Sequence, residues 1–200
     1  MKFARILSTV AHPVFMPLLS VFLIFHSGSI YDLVPFRLMS VVYLIVGIST
    51  ILLPLSILPM LKNQNVISDL ALDKRQDRMI PLAASMIFYL LGYYMLQKFP
   101  VMQIFADLQL AAVISILTVS IISLKWKISL HMAGIGGLLG MILAFSIEFS
   151  SFLQLEFIIG ILIAGLLGYS RLKLNLHTPS QVYTGFMLGF TIIFSSVLLM

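Results

Sequence analysis

Leu108-Gln109-Leu110-Ala111-Ala112-Val113-Ile114-Ser115-Ile116-Leu117-Thr118-Val119-Ser120-Ile121-Ile122-Ser123-Leu124 contains no charged side chain and ends at Lys125-Trp126-Lys127. The run approaches the roughly 20 apolar residues that carry a helix across a bilayer. Lysine and tryptophan beside it are the residues that anchor such a helix at the membrane interface. A membrane strand would alternate polar and apolar over about ten residues, and this run does not alternate.

Six further runs of the same kind lie on either side. Spans are expected near 8–25, 36–61, 80–96, 129–149, 152–169 and 182–200, with 108–124 as the fourth of seven. Pro54 and Pro59 are expected to bend or end the second span. Lys98 and Pro100 mark the turn after the third. Hydrophobic residues make up 60% of the 200-residue chain and charged ones 10%, against about 45–50% and 25% in soluble domains. The fold class is therefore all-α, a polytopic helical bundle with short loops. Residues 1–200 form a single integral membrane domain, with two N-terminal spans over 1–61 and a helical core over 62–200. The basic start, Lys2 and Arg5, has the charge pattern of a signal peptide. His12-Pro13 and Pro17 interrupt the apolar run behind it, which reads as a retained first span. Cysteine is absent, excluding disulfide and Cys-based metal or redox chemistry. Ionisable residues are almost absent mid-span, which argues against a proton-coupled transporter or an ion channel. Gly185 and Gly189 have the spacing that lets helix backbones approach closely.

Seven crossings sort the loops by side. The N-terminal tail, 62–78, 125–131 and 170–181 share one face and hold ten of the twelve basic residues against Asp69, Asp73 and Asp77. The opposite face holds Arg37 and Lys98 against Asp32, Asp107, Glu148 and Glu156. Lys and Arg favour cytoplasmic loops, and that rule alone covers Lys2, Arg5, Lys62, Lys125 and Lys127. It does not cover His131 and His177, which lie at helix edges on the basic face. Asp69, Asp73 and Asp77 step by four and are expected to share a helical face as solvated or cation-paired acids. A metal site would need more ligands.

Three segments meet on the basic face: Lys74-Arg75-Gln76-Asp77-Arg78, Ser129-Leu130-His131, and 170–181 with Ser170-Arg171, His177 and Gln181. Guanidinium groups bind phosphate through two parallel hydrogen bonds. Imidazole serves as nucleophile or general acid near neutral pH. Thr178-Pro179-Ser180-Gln181 reads as a helix start, with Thr178 as N-cap and Gln181 closing a capping box. His177 then stands before a helix N-terminus, where backbone N–H groups favour an anion. His12, also near this face, reads as an ordinary His-Pro helix start. Lys173 reads as a headgroup contact.

Ser170-Arg171, His177, Pro179-Ser180 and Gly185 resemble the third signature of the type 2 phosphatidic-acid phosphatase superfamily. Ser129-Leu130-His131 resembles a variant of its second signature, Pro-Ser-Gly-His. The resemblance runs from about residue 127 to 189, roughly a third of the chain. It implies a membrane phosphatase acting on a lipid phosphate or isoprenoid pyrophosphate. His177 would be the nucleophile that becomes phosphohistidine, and His131 the general acid. Gln181 would orient His177. Arg171 with Arg78, Lys74 or Arg75 would hold the phosphoryl oxygens, and Ser129 would complete the cradle. The resemblance implies no cofactor and no metal, with the bilayer and the phosphorylated lipid as partners and no nucleic acid. Bacterial members usually work on the outer face of the cell membrane, whereas the charge count favours the cytoplasmic side.

The chain departs from the pattern at identifiable positions. In the first signature Asp73 and Ile80 stand where Lys and Arg are expected, leaving Lys74 and Arg78, four apart, to share a helical face. Leu130 replaces a glycine and Ile128 a proline. Gln181 replaces the carboxylate that should charge-balance the nucleophilic histidine. A catalytically impaired relative that binds or moves anionic lipid is therefore the alternative reading, and a bundle whose basic face is topology alone is a third.

Overall fold

The computed structural model describes residues 2–70, 72, 74–99 and 102–199. Asp73 and Pro100 lie outside the described residues. Among those described there is no strand, and seven helices are long and apolar enough to cross a membrane. The first is α1 (Lys2–Val10) continued through a 3₁₀ turn into α2 (Met16–Phe25). The second is α3 (Phe36–Gly47), a π turn (Ile48–Leu52) and α4 (Leu53–Asn63). Single helices make the other five: α5 (Met79–Leu96), α6 (Gln103–Ser123), α7 (Leu130–Glu148), α8 (Gln154–Lys173) and α9 (Pro179–Leu198). The chain is a multi-pass helical bundle.

Both prolines of the second span are accommodated inside it. Pro54 has no N–H and its ring crowds the preceding turn. The wider π turn before it relieves that crowding. Ser49 and Thr50 donate their hydroxyls to the Val46 carbonyl at 3.3 and 2.8 Å, so the loosened turn keeps its polar atoms paired, as a membrane interior requires. Three spans then meet at a polar pair: Gln109 on α6 donates to Ser49 Oγ at 3.0 Å. Gly92 on α5 allows it, because a Cβ there would strike both side chains.

Helix α7 is the axis of the bundle. Ile135, Gly136, Gly137, Leu138, Leu139, Gly140 and Met141 on it are all buried. Its tightest neighbour is α9. A Cβ at Gly136 would run into the carbonyl of Phe186, one at Gly140 into that of Phe190, and one at Gly189 into that of Ala133. In lipid, where tails are as apolar as leucine, such close backbone packing is what holds helices together. Overfilling a packed contact of this kind costs about 1–3 kcal/mol.

The two ends of the bundle differ in chemistry. At the end opposite the basic loops, the rings of Phe25, Tyr31, Phe105, Phe145 and Phe149 pack with centroids 4.5 to 5.9 Å apart. Asp32 folds the first loop there by accepting from the N–H groups of Ser27 and Gly28 at 3.1 Å each. The Phe152 N–H bonds the Ser27 carbonyl at 2.8 Å, joining that loop to the one before α8.

Candidate functional site

Arg171 and His177 owe their positions to one short connection. Helix α8 continues to Lys173, past residue 169 where the apolar run suggested its end. Arg171 and Lys173 in its last turn complement the partial negative charge of the helix C-terminus. The helix then stops in a Schellman arrangement: the Leu176 N–H bonds the Arg171 carbonyl, the Asn175 N–H bonds that of Leu172, and Asn175 takes φ +53°. Asparagine tolerates that left-handed conformation better than most residues. Two residues later Thr178 starts α9 with both halves of the capping box formed. The stop and the start hold His177 between Arg171 and the head of α9.

The imidazole of His177 is 8% exposed. Its Nδ1 faces two oxygens, the Lys127 carbonyl at 3.3 Å and Gln181 Oε1 at 3.1 Å. Gln181 Oε1 also accepts the Thr178 N–H at 3.2 Å. A backbone N–H can only donate, so the amide must present its oxygen here. Nδ1 therefore carries the proton and Nε2 the lone pair, an assignment from partners. Burial, and after it the charges of Arg171 and Arg78, push the His177 pKa down to about 4, against a small opposing effect of Gln181. The ring is neutral at pH 7, with a nucleophilic Nε2.

Ser129, at the head of α7, is fully buried. Its N–H bonds the Gln181 carbonyl at 3.3 Å, and its own carbonyl lies so close to Gly185 that no Cβ fits between. Its Oγ has no hydrogen-bond partner among the described residues. A buried hydroxyl in that state is a ready donor to an incoming oxygen.

His131 lies in the first turn of α7, two residues after Ser129. Its Nε2 donates to the Ser8 carbonyl at 3.0 Å, so its lone pair is on Nδ1. His12 meets it edge-on at 5.2 Å between ring centroids. His12 Nδ1 accepts from the Val14 N–H at 3.4 Å, which leaves the proton on Nε2. The approach depends on Gly134, where a Cβ would collide with Pro13. Both Arg171 and His177 are within electrostatic reach of His131.

A cavity of about 300 Å³ opens among these groups. His12, His131, Arg78 and Arg171 line its basic end, and apolar side chains of spans one to five line most of the rest. His177, Ser129, Gln181, Lys74 and Arg75 are not part of that lining.

The first basic segment lacks the helical face expected for Lys74 with Arg78 and for its acids. The described residues of 64–75 (64–70, 72, 74 and 75) are non-helical, so neither Lys74 with Arg78 nor Asp69 with Asp77 shares a helical face. The polar backbone of a 3₁₀ turn, Gln76–Arg78, begins only afterwards. Asp77 instead bonds Ser68 through both the backbone N–H and the hydroxyl of that serine. Arg78, 3% exposed, donates Nε to the Leu72 carbonyl at 2.8 Å and Nη1 to the Ile128 carbonyl at 3.0 Å. It ties the loop to the chain just before Ser129. Lys74 is exposed and Arg75 half-buried. Lys173 lies over the Tyr169 ring at 5.3 Å.

His12 received little weight from sequence because a His-Pro pair commonly opens a helix. Gln109 gave a signal that was legible, the one amide in the uncharged run 108–124, since polar groups inside a membrane tend to be functional. Among the described residues no group of three or more His or acidic side chains is arranged to hold a metal ion. Comparison of the chain with protein-family models, with curated proteins and with solved structures returns no match.

Proposed function

We propose that this protein is a membrane phosphatase that hydrolyses a lipid phosphate or an isoprenoid pyrophosphate through a phosphohistidine on His177. The observation that carries the reading is the neutral His177, with its lone pair on Nε2, among Arg171, Arg78 and the hydroxyl of Ser129, which has no partner among the described residues. Two guanidinium groups offset the charge of a phosphoryl group and stabilise its transition state.

The chemistry balances with these groups. His177 Nε2 attacks phosphorus, and the P–O bond to the lipid breaks. His131 Nδ1, with its Nε2–H still held by Ser8, takes the proton of the singly protonated phosphoryl group and passes it to the departing oxygen. With a pyrophosphate the departing group is the lipid monophosphate. Water then attacks the phosphohistidine, His131 Nδ1 takes a water proton, the P–N bond breaks, and His131 returns that proton to the inorganic phosphate as it leaves. Gln181 keeps the Nδ1 proton of His177 in place throughout. The test is phosphate release by purified protein from phosphatidate, phosphatidylglycerol phosphate and undecaprenyl pyrophosphate. Equal residual rates for wild type and His177→Ala on all three would end this reading.

Two features favour a second reading, a protein that binds or moves anionic lipid without turnover. Gln181 offers His177 no negative charge to stabilise an imidazolium. The cavity reaches Arg171 and Arg78 but stops short of His177. Binding of the same lipids without phosphate release favours it. The excess of Lys and Arg at the basic end favours the cytoplasmic face of the cell membrane. An impermeant label at the exposed Lys173 reads the side directly.

A further inference from the structure

We infer that the cavity is a binding site for one hydrocarbon chain of the anionic lipid, threaded inside the bundle rather than left in the bilayer. The inference rests on the reading of the basic end as a site for a lipid-borne phosphate.

Shape comes first. The lining of α6 runs from Val119 back to Phe105, roughly 20 Å at 1.5 Å per residue. A cavity of about 300 Å³ spread over that length leaves the centre of a water-sized sphere a mean radius of about 2.2 Å, with the walls roughly 1.4 Å farther out, a bore of about 3.6 Å radius. Two chains abreast, with carbons in contact at about 3.5–4.0 Å, need a bore of roughly that radius. One chain fits freely, and two abreast are tight. With single bonds of about 1.5 Å in a zigzag, each carbon advances the chain roughly 1.25 Å, so the cavity takes about sixteen carbons.

The two ends give the chain a direction. The cationic and imidazole groups of His12, His131, Arg78 and Arg171 stand at one end. Phe105 stands at the other, fully packed against Phe25 and Tyr31 with centroids 4.7 and 5.9 Å away. An amphiphile with an anionic head and one chain matches this order of chemistry. The walls between are mostly apolar, and Gln109 beside them has its amide on Ser49. Apolar walls of this kind favour hydrocarbon over water. The ligand class is therefore a single-chain phosphate or pyrophosphate of about sixteen carbons. A two-chain lipid would have to crowd both chains into the bore or leave one outside.

The test uses a hydrolysis-resistant alkylphosphonate of about that length, with a photoreactive diazirine at its far end, on the full-length protein in nanodiscs. Adducts are expected on Leu108, Ala112 or Leu138, which line the cavity. They are not expected to concentrate on Ile114, Leu117 or Ile121, which face outward on α6. Ala112→Phe, and independently Ser85→Phe on α5, should lower the cavity adducts by about tenfold or more, the factor that 1.4 kcal/mol produces. Unlabelled single-chain phosphonate should compete about tenfold better than its two-chain counterpart. Adducts confined to the outward residues, insensitivity to both blocking variants, or equal competition by the two-chain lipid would each overturn the inference. The probe is not turned over, so labelling with no phosphate release removes the phosphatase reading and leaves the chain site standing. Phosphate release with no cavity labelling does the reverse.

Discussion

The segments 74–78 and 171–177 look alike as strings of basic residues on one face, yet the fold uses them in different ways. In the second, a Schellman stop and a capping box bury Arg171 and His177 and fix the His177 tautomer through Gln181. In the first, only Arg78 is drawn inside, where it clamps the carbonyls of Leu72 and Ile128. Lys74 stays in solvent. Charge of one sign gathers wherever topology favours it. A site needs backbone that also holds each charge at a fixed place.

The largest expected effect breaks that comparison at its centre. Arg171→Gln should lower phosphate release by roughly 10²–10³, the scale seen when one transition-state donor is removed. Lys74→Ala should change it less than about twofold, because an exposed charge is largely screened. Steady-state kinetics on one lipid phosphate reads both. Comparable losses from the two would mean that Lys74 reaches the phosphate in solution.

A smaller effect sharpens the role of Gln181. In Gln181→Glu the carboxylate can keep the Thr178 N–H and take the same place against His177 Nδ1. It should raise the His177 pKa above its value of about 4 and increase the rate by about tenfold or more. That is well under the roughly 10⁴ attached to the orienting carboxylate of a serine protease. Imidazole NMR and initial rates together check it. A raised pKa without a faster rate would show that charge on His177 is not what limits turnover.

The smallest effect is on stability. His177 is held neutral in the fold, with its pKa lowered from 6.5 to about 4. The unfolded chain takes up the proton as pH falls below 6.5, while the folded chain resists until about 4. Stability from this group is present above pH 6.5 and is lost progressively down to about 4. His177→Gln should flatten that part of the thermal-unfolding profile. An unchanged slope would mean the ring is solvated in the fold.

The seven spans were legible from sequence because membrane helices need long apolar runs and each run could be counted. The ends were less so. Helix α8 reaches Lys173 since a basic last turn suits a helix C-terminus, which hydropathy does not register. The capping box at Thr178 and Gln181 was readable because it is local chemistry at fixed spacing. The loop itself was legible, but the helical face expected for Asp69 with Asp77 does not form, because a spacing of four between acids says nothing without the bond that Asp77 makes back to Ser68. The cavity was invisible. It exists only where the spans come together, and the meeting of His12 with His131 depends on Pro13 fitting against Gly134.

Phosphoryl trapping tests the central claim most directly. Protein quenched during turnover of a phosphorus-labelled lipid phosphate should carry an acid-labile, base-stable phosphoryl group, mapped by mass spectrometry to His177 and absent from His177→Ala. Phosphate release with no label on His177, or with the label on another residue, would contradict the account.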